Sequence, residues 1–271
     1  MDHGLYTTYL GMRARQRALD VIANNIANAS TPGFKTDRLR FQLVEAPELT
    51  AKVTINPAGA PSGNQSDAAS NRVIDPTPTS THGRNVGLIA GSVTDHSNGL
   101  IRQTGRTLDV ALDGDGLLVV QTAQGERYTR AGSLRLNEGG QLVTQSGDLV
   151  LGEKGSITIP PGEVTISDNG TISVKGQQID RLKLVRFATP QSELLKEGTT
   201  LFTASDAAAQ LTLPATSTRV IQGSLEMSNV DAISEMASMI QNSREFEALQ
   251  RSITTLMNDL GRKVAGELGR L

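Results

Sequence analysis

Cysteine and tryptophan are both missing from this 271-residue chain. Without thiols there is no disulfide, no thiolate nucleophile and no cysteine-ligated metal. Aromatic residues are scarce, at 3%, and the 37% apolar fraction is low for one large, well-filled core. Neither charge sign dominates: 26 Lys and Arg stand against 28 Asp and Glu, for a net charge of −2. That balance gives no electrostatic basis for nucleic acid or an anionic membrane as partner. The densest basic cluster, Arg13, Arg15 and Arg17, reads as a solvated polar stripe. Long hydrophobic runs are lacking as well. The first thirty residues hold nothing like the roughly 7–15 apolar residues of a signal peptide. No stretch approaches the roughly 18–20 needed to span a bilayer, so no membrane insertion is expected. By these signals alone the chain is soluble and stays where it is made.

Recognisable chemistry is also thin. His3, His82 and His96 show no metal-ligand spacing, and surface or turn roles are expected for them. No G-x-S-x-G, phosphate-binding loop or nucleotide fingerprint occurs. The carboxylates Asp109, Asp113 and Asp115 in "LDVALDGDG" invite a calcium reading. Either register fails, because Leu117 or Val120 falls where a ligand is needed. A strand, an Asp-Gly turn and a second strand account better for them. No catalytic residue, metal ligand or cofactor is assigned.

What the chain does have is three textures. Leu5, Tyr9, Met12, Gln16, Leu19, Ala23 and Ile26 alternate steps of four and three, a heptad seam with Gln16 its one polar member. They predict a helix of about 22 residues, roughly 33 Å long, ending near Ala29. Pro32 then disfavours helical geometry at Thr31, and Pro32-Gly33 suits the centre of a type II turn. Residues from about 46 to 107 are rich in Ser, Thr, Asn, Pro and Gly. They read as extended or irregular chain with brief strands at most, the part 56–85 being mobile in isolation. From 108 to 213, runs such as "GLLVVQT", "EVTIS", "TISV" and "RLKLVRF" alternate with turn pairs, among them Gln124-Gly125, Asn169-Gly170 and Lys175-Gly176. That spacing predicts an all-β domain.

Helix returns at the end. Ser228 or Asn229 is the expected N-cap of a helix starting near Val230. Ile233, Met236 and Ile240 make one apolar seam; Phe246, Leu249, Ile253, Leu256 and Leu260 make another. Between them the register slips by one residue, as in a stammer, which turns the apolar stripe and suits a helix meeting different neighbours along its length. The expected fold is α+β: long N- and C-terminal coiled-coil-type helices that pack together, a central all-β domain, and an extended Gly/Ser/Thr/Pro-rich segment. The corresponding divisions are 1–35, 36–107, 108–213 and 214–271. A single helix pair leaves part of each apolar face wet. At about 1.5–3 kcal/mol per buried large aliphatic side chain, that face favours assembly with other copies.

The stretch "ANNIANASTPGFK" is odd as a helix end, because asparagine competes for backbone hydrogen bonds. Together with "GSLEMSNVDAISEMASMIQ" and the central "LDVALDGDGLLVVQTAQGERYTRAGSLRLNEGGQLVTQSGDLVLGE", it resembles the flagellar axial proteins, specifically the basal-body rod family. Asn24, Asn25, Ile26, Asn28, Thr31, Pro32, Gly33, Phe34 and Lys35 carry the N-terminal likeness. Glu226, Ser228, Asn229, Val230, Met236 and Ile240 carry the C-terminal one. The resemblance covers both ends and most of 100–185, and is closer to the proximal-rod branch than to the distal.

The resemblance implies a structural subunit, not an enzyme, that self-assembles through its terminal helices into the tube transmitting torque to the hook. Implied partners are other copies, other rod and hook proteins, and the flagellar type III export apparatus. Export by that route needs no cleaved signal peptide, so a periplasmic rod becomes compatible with the missing leader. The seam residues named above, except Gln16, Ala23 and Ile233, are the expected assembly contacts, with Asn24, Asn25, Asn28, Pro32, Gly33, Phe34 and Asn229. The asparagines would bond adjoining subunits, since a carboxamide both donates and accepts. A rival reading is a carbohydrate- or protein-binding β module that the helices oligomerise. It calls for an aromatic platform, for which the β stretch offers Tyr128, Phe187 and Phe202.

Overall fold

The first helix forms where the apolar spacing predicts and stops two residues early. A computed structural model describes residues 2–45, 73–74, 86–205, 208–209, 213–215 and 217–268. Helix α1 is Asp2–Ala27, α2 is the single turn Pro190–Glu193, and α3 is Ala232–Leu268. Asn28 to Ser30 are already a turn, correcting the expected end at Ala29. The asparagine is the cause: Thr31 donates through Oγ1 to Asn28 Oδ1 (3.2 Å) and through its amide to Asn28 O (3.1 Å). The type II turn follows as expected, with Gly33 at φ +72° and the Phe34 amide donating to Thr31 O at 3.3 Å.

Two compact units result, one of residues 1–26, 38–93 and 232–271, the other of 27–37 and 94–231. The first contains α1 up to its last residue, the whole of α3 and a three-stranded sheet ordered β1 (Asp37–Glu45), β3 (Val86–Thr94), β2 (Val73–Ile74). These strands lie in a stretch expected to be extended or irregular. Most of 56–85, with His82, falls outside the described residues.

The two long helices run antiparallel. Arg15 Nη1 donates to Asn242 Oδ1 (3.0 Å) and Nη2 pairs with Glu245 (2.7 Å), while further along Asn25 Nδ2 donates to Glu235 Oε1 (3.3 Å). Leu249 packs on the α1 backbone, 3.5 Å from where a Gly11 side chain would begin. Leu10, Ala18, Ile22 and Asn25 are buried along α1. The heptad seam is therefore not the buried line. Met12, Leu19 and Ile26 are half-buried, and Tyr9, Gln16 and Ala23 are exposed. A second line, Leu10-Ala14-Ala18-Ile22, steps by four beside it, and small side chains there let a partner approach closely.

In the second unit every strand pairing is antiparallel. Its ten-stranded sheet runs β16 (Leu194–Glu197), β17 (Leu201–Ala204), β7 (Gly125–Thr129), β6 (Leu117–Thr122), β10 (Leu149–Gly152), β9 (Leu142–Thr144), β8 (Leu134–Leu136). On its branches β11 (Gly155–Ser156) pairs with β10, β15 (Leu184–Arg186) with β6, and β18 (Leu213–Pro214) with β15. Three strands, β12 (Val164–Ile166), β13 (Thr171–Val174) and β14 (Gln177–Arg181), form a second sheet. Two pairs complete the unit: β5 (Val110–Asp113) with β19 (Arg219–Gln222), and β4 (Ile101–Gln103) with β20 (Ser224–Glu226). Strands thus extend beyond 108–213 on both sides. The reason is long-range pairing: β4 and β20 complete each other from opposite ends of the unit.

Strand β6 explains the unbroken run "LLVV". Alternate residues point to opposite faces, so Leu118 and Val120 enter one core with Leu142, Ile157 and Ile172, while Leu117 and Val119 enter another with Tyr128, Phe187 and Phe202. The Asp-Gly stretch 113–116 is a turn between strands, as expected, but β5 and β6 are not hairpin partners.

Candidate functional site

The turn after α1 belongs to the second unit, and three buried charges, Lys35, Arg130 and Glu226, gather around it. Gly33 donates its amide to Glu226 O at 2.8 Å, within an approach no other residue permits. A Cβ there would stand 2.4 Å from Ala131 N, at a φ only glycine adopts easily. Phe34 is wholly buried, and Lys196 caps its ring with Nζ 3.7 Å from the centroid. The same ammonium donates to Lys35 O (2.6 Å) and to Asp37 Oδ2 (2.9 Å).

Lys35 itself is 1% exposed. Its Nζ donates to Ser97 O and to Glu226 Oε1, both at 2.6 Å. Glu226, also 1% exposed, accepts the Gly99 amide on Oε1 (2.9 Å) and Arg130 Nη1 on Oε2 (3.2 Å). Arg130 goes on to the carbonyls of Leu112 and Gly114. Gly99 has no room for a side chain, since a Cβ would lie 1.9 Å from Met227 O. Burying isolated charges is costly, and here one carboxylate between two cations, with the carbonyls of Ser97, Leu112 and Gly114 accepting further N–H groups, offsets that cost. Burial holds Lys35 and Arg130 below their ordinary pKa values, and Glu226 pulls in the opposite direction.

Two more residues close the site. Asn229 accepts the Thr36 amide on Oδ1 (2.8 Å) and donates through Nδ2 to Asp95 O (2.9 Å) and Ser97 Oγ (3.0 Å). It is therefore not the N-cap of α3, which begins three residues later, at Ala232. Ser228 Oγ accepts the Val230 amide (3.2 Å), also ahead of the helix. His96 lies against Phe202, ring centroids 5.1 Å apart. Burial, then the charges of Lys35 and Arg130, push its pKa down to about 4.

The predicted site residues thus divide. Pro32, Gly33, Phe34, Asn28 and Asn229 belong to this joint or the turn feeding it. Asn25 is buried on Glu235 of its own chain, and Asn24 is exposed. On α3, Phe246, Leu249 and Ile253 are half-buried, whereas Met236, Ile240 and Leu256 are exposed, as is Ile233 (81%), which was not among the expected contacts. The side chains of Leu5 and Leu260 lie outside the described ones. Sequence reasoning missed Arg130, Lys196, Ser97 and His96, which carry no local signal. Lys35 and Glu226 stood in the matching motifs without an assigned role.

His96 Nε2 is buried in the site without a hydrogen-bond partner, and among the described residues no group of three His, Asp or Glu could hold a metal. Asp109 is engaged by Arg106, with two bonds of 2.8 Å, and by Thr104 at 2.6 Å. Tyr128, Phe187 and Phe202 are core residues, so they form no surface platform. Among the described residues no helix is long and apolar enough to cross a membrane.

Comparison with known proteins gives the same two chain ends. Residues 5–35 match the family described as flagella basal body rod protein, and 221–261 match the flagellar basal body rod FlgEFG protein C-terminal family. Residues 111–174 match the flagellar hook protein FlgE/F/G D1 domain. The flagellar basal-body rod protein FlgF of Escherichia coli is 36% identical over 97% of both chains. The chain belongs to the flagellar basal-body rod protein family. FlgG of Bacillus subtilis is similar too, at 35% identity over 94% of this chain and 95% of its own. The flagellar hook protein FlgE of Treponema pallidum is 32% identical over 53% of this chain and 27% of its own length. As a rod-family member the chain is a structural protein of the bacterial flagellum and of motility. Its first matched segment closes on Lys35, and its last includes Glu226, the two partners of the buried ion pair.

Proposed function

We propose that this chain is a subunit of the proximal rod, built into the axial tube by self-assembly of its terminal helices and transmitting torque towards the hook. One observation carries the reading. At the start of α3, the residues bonded to α1 are polar, Glu235, Asn242 and Glu245, while Ile233, Met236, Met239 and Ile240 face outward. A helix whose apolar stripe points away from the helix it is bonded to suits burial by neighbouring copies. The exposed side of the heptad seam on α1, with Tyr9, extends that reading, as do Leu256 and Asn24. The other expected contacts on these helices, Leu5 and Leu260 among them, are proposed with them.

The proximal position is supported by the N-terminal "MDHGLYT" and by "ITIPPGEVTISDNG". FlgF relatives align over 97–100% of this chain, against 93–94% for FlgG relatives. Passage through the flagellar type III export apparatus, without a cleaved signal peptide, to a periplasmic rod is part of the same proposal. The role needs no cofactor and no catalysis.

Limited proteolysis and circular dichroism of a dilute monomer test it. The β unit is expected to stay folded while the terminal helices are cut and largely disordered. Stable, protected helices in a proven monomer would sink the reading. Labelling the chain in isolated basal bodies then separates proximal from distal position.

A further inference from the structure

We infer that the buried contact of Lys35, Glu226 and Arg130 is the joint through which twisting force on the terminal helices is passed to the β unit, an inference that rests on the rod reading. Three features of the second unit lead to it. The chain segments continuing into the two long helices are both short and are held at one place. Only the turn 28–32 separates the end of α1 from Gly33, and only 227–231 separates Glu226 from α3. Gly33 and Glu226 are hydrogen-bonded to each other through their backbones. Short connections pinned this close to the helix ends leave little chain to take up a twist.

The pinning is ionic and dry. Apolar contact is non-directional and resists sliding weakly, whereas charge-assisted hydrogen bonds have fixed geometry and roughly twice the strength of neutral ones. Water and salt screen the Lys35–Glu226 pair, each 1% exposed, far less than a surface pair. The third feature is redundancy. Lys196 holds Phe34, Lys35 O and Asp37 from one side, and Asn229 ties Thr36 to Asp95 and Ser97 from the other. A contact serving only to stabilise a fold has no need to join the segments that lead to both helices.

The test uses full-length chains in cells and in solution. Lys35→Met and Glu226→Gln are compared with a core variant, Ile172→Val or Ile172→Ala, chosen to match their loss of global stability. Hydrogen exchange on the purified chain comes first. The amides of Gly33, Thr36 and Gly99, which donate into the joint, are expected to exchange about 10–100-fold faster in Lys35→Met. Those of β6 are expected to stay as protected as before. Acceleration spread evenly over the unit, or none at all, overturns the inference, and this readout needs no rod. In cells, both joint variants should enter basal bodies and swim in thin medium, yet lose rotation at high load in tethered-cell measurements. The matched core variant should keep it. Equal loss in the core variant, or full high-load torque in both joint variants, overturns the inference. Absence of the wild-type chain from basal bodies would instead defeat the rod reading, which keeps the two failures apart.

Discussion

In the β unit, Phe202, Leu142 and Ile172 are inside, and so are the charges of Lys35, Glu226 and Arg130. Along the first turns of α3 the order is inverted, with Ile233, Met236 and Ile240 in solvent and Glu235 and Asn242 against the neighbouring helix. The first region buries most of its apolar side chains, with Leu100 the chief exception, and pairs the charges of Lys35, Glu226 and Arg130 without help. The second does neither fully. A protein that carries a finished domain and an unfinished helical pair is suited to be folded in part alone and completed by its neighbours.

The comparison can be broken hardest at Gly33. Replacing it with Ala puts a Cβ 2.4 Å from Ala131 N at a φ of +72°, and a loss on the order of 3–5 kcal/mol is expected. Urea unfolding of the purified chain measures it. An unchanged midpoint would mean that the turn is not part of the folded β unit.

Acid should act next. The unfolded chain protonates His96 near pH 6.5, and the folded chain resists protonation to about 4. The stability it contributes is therefore complete above about 6.5 and drains away as pH falls to about 4, by on the order of 3 kcal/mol. Asp95 and Asp37 face the ring and oppose the shift, while Lys35 and Arg130 reinforce it. The loss over this window should shrink in His96→Phe, and equal pH profiles for the two chains would remove His96 from the account.

Asn25→Leu removes a donor to Glu235 and should cost about 1 kcal/mol in the helical pair. The melting of the β unit should not move, and rod assembly and motility should be impaired. Normal motility would leave Asn25 an ordinary helix-end residue. The smallest effect on the monomer is expected at Ile233→Ser, within about 0.5 kcal/mol, although sedimentation should show self-association much reduced. A variant that associates as before would show that this face is not the one neighbours cover.

Much of the fold was legible in local pattern. The turn pairs Gln124-Gly125, Asn169-Gly170 and Lys175-Gly176 each fall where one strand turns into the next, with Gly125, Gly170, Lys175 and Gly176 at positive φ. Such turns are local chemistry and need no distant partner. Helix phase was harder. On α1, two apolar lines lie side by side, and periodicity alone cannot say which of them a partner occupies. The slip between the two seams of α3 was readable, and the structure gives it content: Leu249 faces α1, and Ile233 does not.

The sequence by itself determined the helices at both ends, the β texture between them, the type II turn and the family. Only the tertiary structure decided that Lys35, a residue type usually found in water, is among the most buried in the chain. Its partner Glu226 lies 191 residues away and Arg130 midway between. A charge is stable in a dry interior only when opposite charges and hydrogen bonds reach it from elsewhere. No local pattern around Lys35 could say that they would.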